Sequence, residues 1–193
     1  VFDTLPLVTM PEDTQRTGAI DLWAFVTDSN DADDTLVFEI ISDSGSDAGA
    51  TIRDDRYIDI SPVANWHGHS ELTVRVTDPA GNNAEASLLV TVTPVNDPPV
   101  LSAISDITVS EGQTVTLTPS ATDPDGDTLT YTYTGWMTSD TYVTGYTDAG
   151  VHTVTVTVSD GVLTDSQDVT VTVNDVSLTI SGSVYDELSG SGI

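Results

Sequence analysis

Three stretches of the chain crowd oxygen donors together: "DSNDAD" at 28–33, "VNDPP" at 95–99 and "DPDGD" at 123–127. Carboxylates held within about 5 Å of one another repel by roughly 1 kcal/mol per pair even in water, and by more where solvent is excluded. A hard divalent cation relieves this repulsion, and flexible, many-oxygen coordination favours Ca²⁺ over Mg²⁺. Cation binding is therefore the chemistry open to these residues. Turn formation competes for them, because Asp, Asn, Gly and Pro also close turns with no ion present. An EF-hand loop is excluded: counting from Asp123, the sixth and twelfth positions are Thr128 and Thr134, where that loop requires Gly and Glu.

The composition points the same way. Among 193 residues, 31 are Asp or Glu against four Arg and no Lys, for a net charge of −27. Such a chain is repelled by phosphate backbones and anionic lipid, which excludes nucleic acid and membrane surfaces as partners. Salt adaptation would also use so acidic a surface, although the clustering of Asp in loops favours ligands. No apolar run approaches a membrane span, and direct insertion is not expected. With no Cys there are no disulfides or thiolate metal sites. Without Lys, intramolecular Lys-Asn isopeptide bonds are ruled out. Catalysis is not expected either: no G-x-S-x-G elbow is present, and aromatic residues at 6% are too few to line a glycosidase cleft. The "NWHGHS" stretch offers His67 and His69 as alternate residues that could hold Zn²⁺ with a third ligand. Gly68 between them makes a surface turn the favoured reading.

The elements that must position the carboxylates are strands. "LTVRVTD" (72–78), "SLLVTVTPV" (87–95), "TVTLTPSA" (114–121), "TLTYTYTG" (128–135), "HTVTVTVSD" (152–160) and "DVTVTVND" (168–175) alternate apolar residues with Thr or Ser. Period two with β-branched residues predicts half-buried strands, Val inward and Thr outward. "DPAGNN", "DPDGD" and "SDG" supply the turns between them. The fold class expected is all-β, as tandem Ig-like sandwiches. The chain also repeats: "VRVTDPAGNNAEASLLVTVTPVND" (74–97) and "VTVSDGVLTDSQDVTVTVND" (156–175) share a strand ending in Asp, a turn, a second strand and Asn-Asp. Domains are expected at 1–97 and 98–175, with 176–193 opening a third repeat.

The Asn-Asp-Pro linker, the Glu near each first strand, the "DAD" and "DPDGD" loops, and the Asp ending the penultimate strand (Asp78, Asp160) resemble the cadherin-like repeats of prokaryotic surface adhesins. The second half, with "YTDAGVHTVTVTVSDG", is also similar to PKD repeats, and "LTISGSVYDELSGSGI" (178–193) is similar to the start of a serine-aspartate-repeat B domain. The resemblance implies Ca²⁺ at the joints between repeats. At the central joint the ligands would be Glu12, Asn96, Asp97, Asp123, Asp125, Asp127 and Asp160, with Asp54 or Asp55 of "RDDR" as a further acid, although the family pattern there is Asp-Arg-Glu. Asp28, Asp31, Asp33 and Asp78 would form a second set at the far end of the first domain. Glu111, Asn174 and Asp175 would form a third, facing a C-terminal joint.

The function so implied is structural: a stretch of a longer, secreted or cell-surface array, rigidified by Ca²⁺, that displays or adheres. Its partners would be neighbouring repeats of the same chain and a homotypic, cell-surface protein or glycan partner. Two other roles fit the residues. The strand at 177–185 could pair with the next copy in a filament or S-layer. Trp66, or Trp136 with its neighbouring tyrosines, could serve a carbohydrate-binding accessory module of a secreted hydrolase.

Overall fold

The strands fall where alternation predicts them. In the computed structural model, which describes residues 1–29 and 31–177, the chain divides into two compact units, Val1–Asp97 and a second beginning at Pro98. The expectation of a third-repeat strand within 178–193 lies outside the described residues.

The first unit contains β1 (Val8–Pro11), β2 (Arg16–Asp21), β3 (Val37–Asp43), β4 (Ala50–Arg53), β5 (Tyr57–Ile60), β6 (Gly68–Thr77) and β7 (Asn83–Thr93). One sheet runs β1-β7-β6-β3 and the other β2-β5-β4. Ser70, Leu72, Val74 and Val76 of β6 point inward beside Ala86, Leu88, Val90 and Val92 of β7, and the residues between them face outward. Each fully buried Val or Leu stabilises the fold by about 1.5–3 kcal/mol, so a one-residue slip of register would forfeit the whole set.

The second unit contains β8 (Val100–Leu101), β9 (Ile107–Ser110), β10 (Thr114–Thr116), β11 (Ala121–Thr122), β12 (Thr130–Gly135), β13 (Thr141–Val143), β14 (Gly150–Ser159) and β15 (Thr164–Asn174). Its main sheet is β12-β14-β15-β9, with β10-β13 and β11-β8 as short pairs. Val154, Val156 and Val158 of β14 and Val169, Val171 and Val173 of β15 are buried. Opposite them the solvent face carries threonine in cross-strand register, Thr132 beside Thr157 and Thr153 beside Thr170.

Both units are Ig-type sandwiches, and one device in each matters for the site. The first strand of each main sheet, β1 or β9, runs parallel to the last strand, β7 or β15. The chain then leaves that strand through a Glu: Glu12 donates its backbone N–H to Thr93 O at 3.0 Å, and Glu111 donates to Asn174 O at 3.0 Å. The acid expected from sequence to lie near each first strand is thus fixed beside the exit of the last strand of its own unit.

Candidate metal centres

Glu12 is 2% exposed and Glu111 is 6% exposed, although both are carboxylates. Each spends one oxygen on the segment that leaves its unit. Glu12 Oε1 accepts from Val95 N–H at 2.8 Å, and Glu111 Oε2 accepts from Val176 N–H at 3.0 Å. The other oxygen of each, Glu12 Oε2 and Glu111 Oε1, is buried with no hydrogen-bond partner. A buried acceptor left unmatched costs about 1–3 kcal/mol, and more when charged, so each pocket has an electrostatic vacancy that a cation would fill.

Around Glu12 the first unit gathers Asp13 and Asp97, each offering an oxygen within 4.8 Å of the others. Asp13 sits in the left-handed region at φ 55° and accepts from Asn65 N–H at 2.9 Å, which pins the 61–67 loop to the Glu12 turn. Asn96 stands next along the chain, its Nδ2 donating to Asp97 O at 3.3 Å. Around Glu111 the second unit places Tyr146, Asp175 and Val176 along an open groove. Asn174 closes β15 beside it.

The "DPDGD" loop is built around Asp123. Its Oδ1 accepts from Asp125 N–H at 2.9 Å and Asp127 N–H at 3.2 Å, while Gly126, at φ 77°, makes the tight turn. This leaves Oδ2 buried without a partner, and Asp123, Asp125 and Asp127 each place an oxygen within 4.8 Å of the others. An Asx turn alone would need only Oδ1. At the other end of the first unit, Asp28, Asp31 and Asp78 form a third such group. Asp78 accepts from Asn82 Nδ2 at 2.7 Å and Asn82 N–H at 2.8 Å; the side-chain bond, chiefly, holds its carboxyl below the usual range despite partial desolvation.

Several expected ligands stand outside these groups. Asp33 opens a 3-10 turn, Asp33–Thr35. Asp160 closes its own β14–β15 turn, where Oδ1 accepts from Val162 and Leu163 N–H, both at 2.6 Å. Asp54 and Asp55 occupy the β4–β5 turn with positive φ, and Asp54 pairs with Arg53 at 3.1 Å, which spends it on a guanidinium. The two histidines do not share a partner: His69 Nδ1 meets Thr91 Oγ1 at 3.0 Å, whereas His67 Nδ1 lies 3.6 Å from Glu12 Oε1.

Trp136 stacks on His152 at 4.1 Å and 11°, with Tyr142 at 4.7 Å, and packs against the core of its unit. Tyr142 donates to Asp148 Oδ2 at 3.1 Å, and that bond is the main reason the phenol lies above its usual range. Trp66 likewise packs against the first core.

Sequence reasoning missed Asp13 and the placement of His67. The first was legible as the neighbour of Glu12 in "PED". The second depends on the Asn65–Asp13 bond across 52 positions, and no local pattern reports such a contact.

A family model described as a bacterial Ig domain matches residues 3–93 and again 96–172. Chitinase A of Pseudoalteromonas piscicida is 37% identical over 111 residues, covering 48% of this chain and 12% of that protein. Among solved structures, extracellular cadherin domains 1–5 of protocadherin gamma B2 align over 91% of this chain and 39% of that one, at a TM-score of 0.54 and 15% identity. Domains 1–4 of protocadherin gamma B7 align over 86% and 47%, at a TM-score of 0.50 and 15% identity. The chain therefore spans a small part of its curated relative and less than half of these structures, and at such identities the likeness is one of fold.

Proposed function

Because the chain belongs to the bacterial Ig domain family, in two tandem copies, we propose that it is a non-catalytic structural and adhesive segment of a secreted or cell-surface protein, and that Ca²⁺ stiffens it. One observation carries this reading: both units bury a glutamate at the strand exit and leave one of its oxygens unmatched. All-oxygen donor sets suit a hard cation. Glu12, Asp13 and Asp97 would hold it in the first unit, with Asn96 adjoining, and Asp123, Asp125 and Asp127 in the second; Asp28, Asp31 and Asp78 form a further set. Bound, the ion supplies the positive charge that offsets carboxylate repulsion. Asp97 belongs to the linker, so fixing it against Glu12 removes freedom from the first residues of "NDPPV". The two prolines stiffen what remains. Extracellular modules of this kind bind Ca²⁺ with dissociation constants on the order of 10⁻⁴ to 10⁻³ M.

Thermal unfolding in Ca²⁺ against EDTA, with Mg²⁺ and molar NaCl as controls, tests this. An ion at a hundredfold its dissociation constant adds about 2.7 kcal/mol. A Ca²⁺-selective rise that Asp125→Ala diminishes is the expected result. Stabilisation by NaCl alone would make the acids a solvation coat and the linker a plain spacer.

The identity to a chitinase over 111 residues favours a second reading, an accessory segment of a secreted polysaccharide hydrolase. Co-sedimentation with chitin distinguishes it. Retention on the polymer that is lost in Trp136→Ala, with the fold intact, would support it over a purely structural role.

A further inference from the structure

The first unit's glutamate has a neighbour that the second unit's lacks. His67, half-exposed in the loop before β6, turns Nδ1 to within 3.6 Å of Glu12 Oε1, and the loop carrying it is tied down by the Asn65–Asp13 bond. Two donors on one tetrahedral ion, with bonds near 2.0–2.2 Å, stand about 3.3 Å apart, so this spacing needs only a small closure. Glu12 Oε2, on a side chain 98% buried, has no partner and lies in the same pocket as Asp13 and Asp97. At the corresponding exit in the second unit, Tyr146 lies along the groove beside Glu111 and no histidine lines it.

Imidazole changes which ion such a pocket prefers. Carboxylates alone suit Ca²⁺ and Mg²⁺, whereas a nitrogen donor beside them favours borderline ions such as Zn²⁺. We propose that Glu12 and His67, completed by Asp13 or Asp97, form a zinc-type site in the first unit, selective for a borderline divalent cation. The inference rests on the reading that this end of the unit binds a divalent ion. It departs from it in making the ion at Glu12 a nitrogen-liganded one. His69 has no part in the site, because its Nδ1 is engaged with Thr91.

The test is isothermal titration of the 193-residue chain with ZnCl₂ and, separately, CaCl₂, for the wild type, His67→Ala, His69→Ala and Glu12→Gln. His67 is an exposed loop side chain, and circular dichroism in EDTA checks that its variant folds. The expected result is one Zn²⁺ site at least roughly tenfold tighter than any Ca²⁺ site. That site weakens about tenfold or more in His67→Ala and Glu12→Gln, and is unchanged in His69→Ala. Nitrogen-15 spectra should show the His67 Nδ1 resonance moving on Zn²⁺ addition and not on Ca²⁺ addition. Ca²⁺ binding with no tighter Zn²⁺ site, or Zn²⁺ binding indifferent to His67→Ala, overturns the zinc site and leaves the calcium reading standing. Binding of neither ion overturns both.

Discussion

The two units share a fold and a buried glutamate but differ in how they neutralise charge. All four arginines, Arg16, Arg53, Arg56 and Arg75, lie in the first unit and none in the second. In the small sheet of the first unit, Arg56 sits 4.4 Å over Trp23 and 4.7 Å over Tyr57 while binding Asp21 through two bonds; Arg53 stacks at 5.0 Å over Tyr57 and binds Asp59. The second unit fills the corresponding role with uncharged packing, Trp136 on His152 and Tyr142. The same carboxylate-rich ends are thus carried by one unit with internal countercharges and by one without. The second unit has the greater need of cations from solution.

The largest expected effects lie in the cores and test whether the units are energetically separate. Leu72 in the first unit and Leu117 in the second are 0% and 2% exposed. Replacing either with Ala removes buried methyls and leaves a cavity, at a cost of about 2–5 kcal/mol. For a domain of this size each kcal/mol moves the midpoint by about 4–8 °C. Scanning calorimetry of the two variants should therefore displace different transitions. If either variant lowers both transitions together, the units unfold as one and their chemistry cannot be compared separately.

Next in size is the ion effect. Glu111 is buried with one oxygen unmatched, so in EDTA it carries an unrelieved charge. Glu111→Gln should be neutral or stabilising in EDTA and should forfeit most of the second unit's share of the Ca²⁺ gain, up to about 2.7 kcal/mol at saturating ion. Glu12→Gln should do the same for the first unit. Titrating Ca²⁺ while following both transitions checks this. If Glu111→Gln leaves the calcium response intact, Glu111 is an ordinary buried acid and the second unit holds its ion elsewhere.

Much of this was legible because sandwich strands announce themselves locally. Leu72, Val74 and Val76 alternate with outward polar residues in the sequence as they do in β6. The repeated Asn-Asp and the Asp-rich loops likewise carried their own signal, and Asp28, Asp31 and Asp78 come together from "DSND" and a hairpin turn. What stayed hidden are side-chain choices made across the sandwich. Asp160 looked equivalent to Asp78, yet its Oδ1 turns onto Val162 and Leu163 N–H, a choice of rotamer that a shared strand-ending Asp does not encode. The Trp23–Arg56–Tyr57 stack is similarly invisible in a pattern of alternation, since Trp23 meets Arg56 only once the 3-10 turn Leu22–Phe25 carries it to the β4–β5 hairpin.

The smallest expected effect separates the units by acid. Hydrogen bonding from Arg56 lowers the Asp21 carboxyl below its model-peptide value of 3.8, and hydrogen bonding from Arg53 does the same for Asp59. A carboxylate whose folded pKa is depressed contributes stability above its unfolded value and loses it as pH falls through that value towards the folded one. The first unit should therefore lose stability as pH drops below about 4–5, with Asp21 and Asp59 supplying part of the loss. Both ion pairs are solvent-accessible, so salt should blunt the effect. Arg56→Met keeps much of the contact with Trp23 and Tyr57 but removes the charge. Its deficit relative to wild type should be present at pH 7 and shrink towards pH 2, with the second transition unmoved. A deficit that stays constant across that range would show that Arg56 acts in the first unit through packing on its aromatic neighbours, and that countercharge is not what distinguishes the two sandwiches.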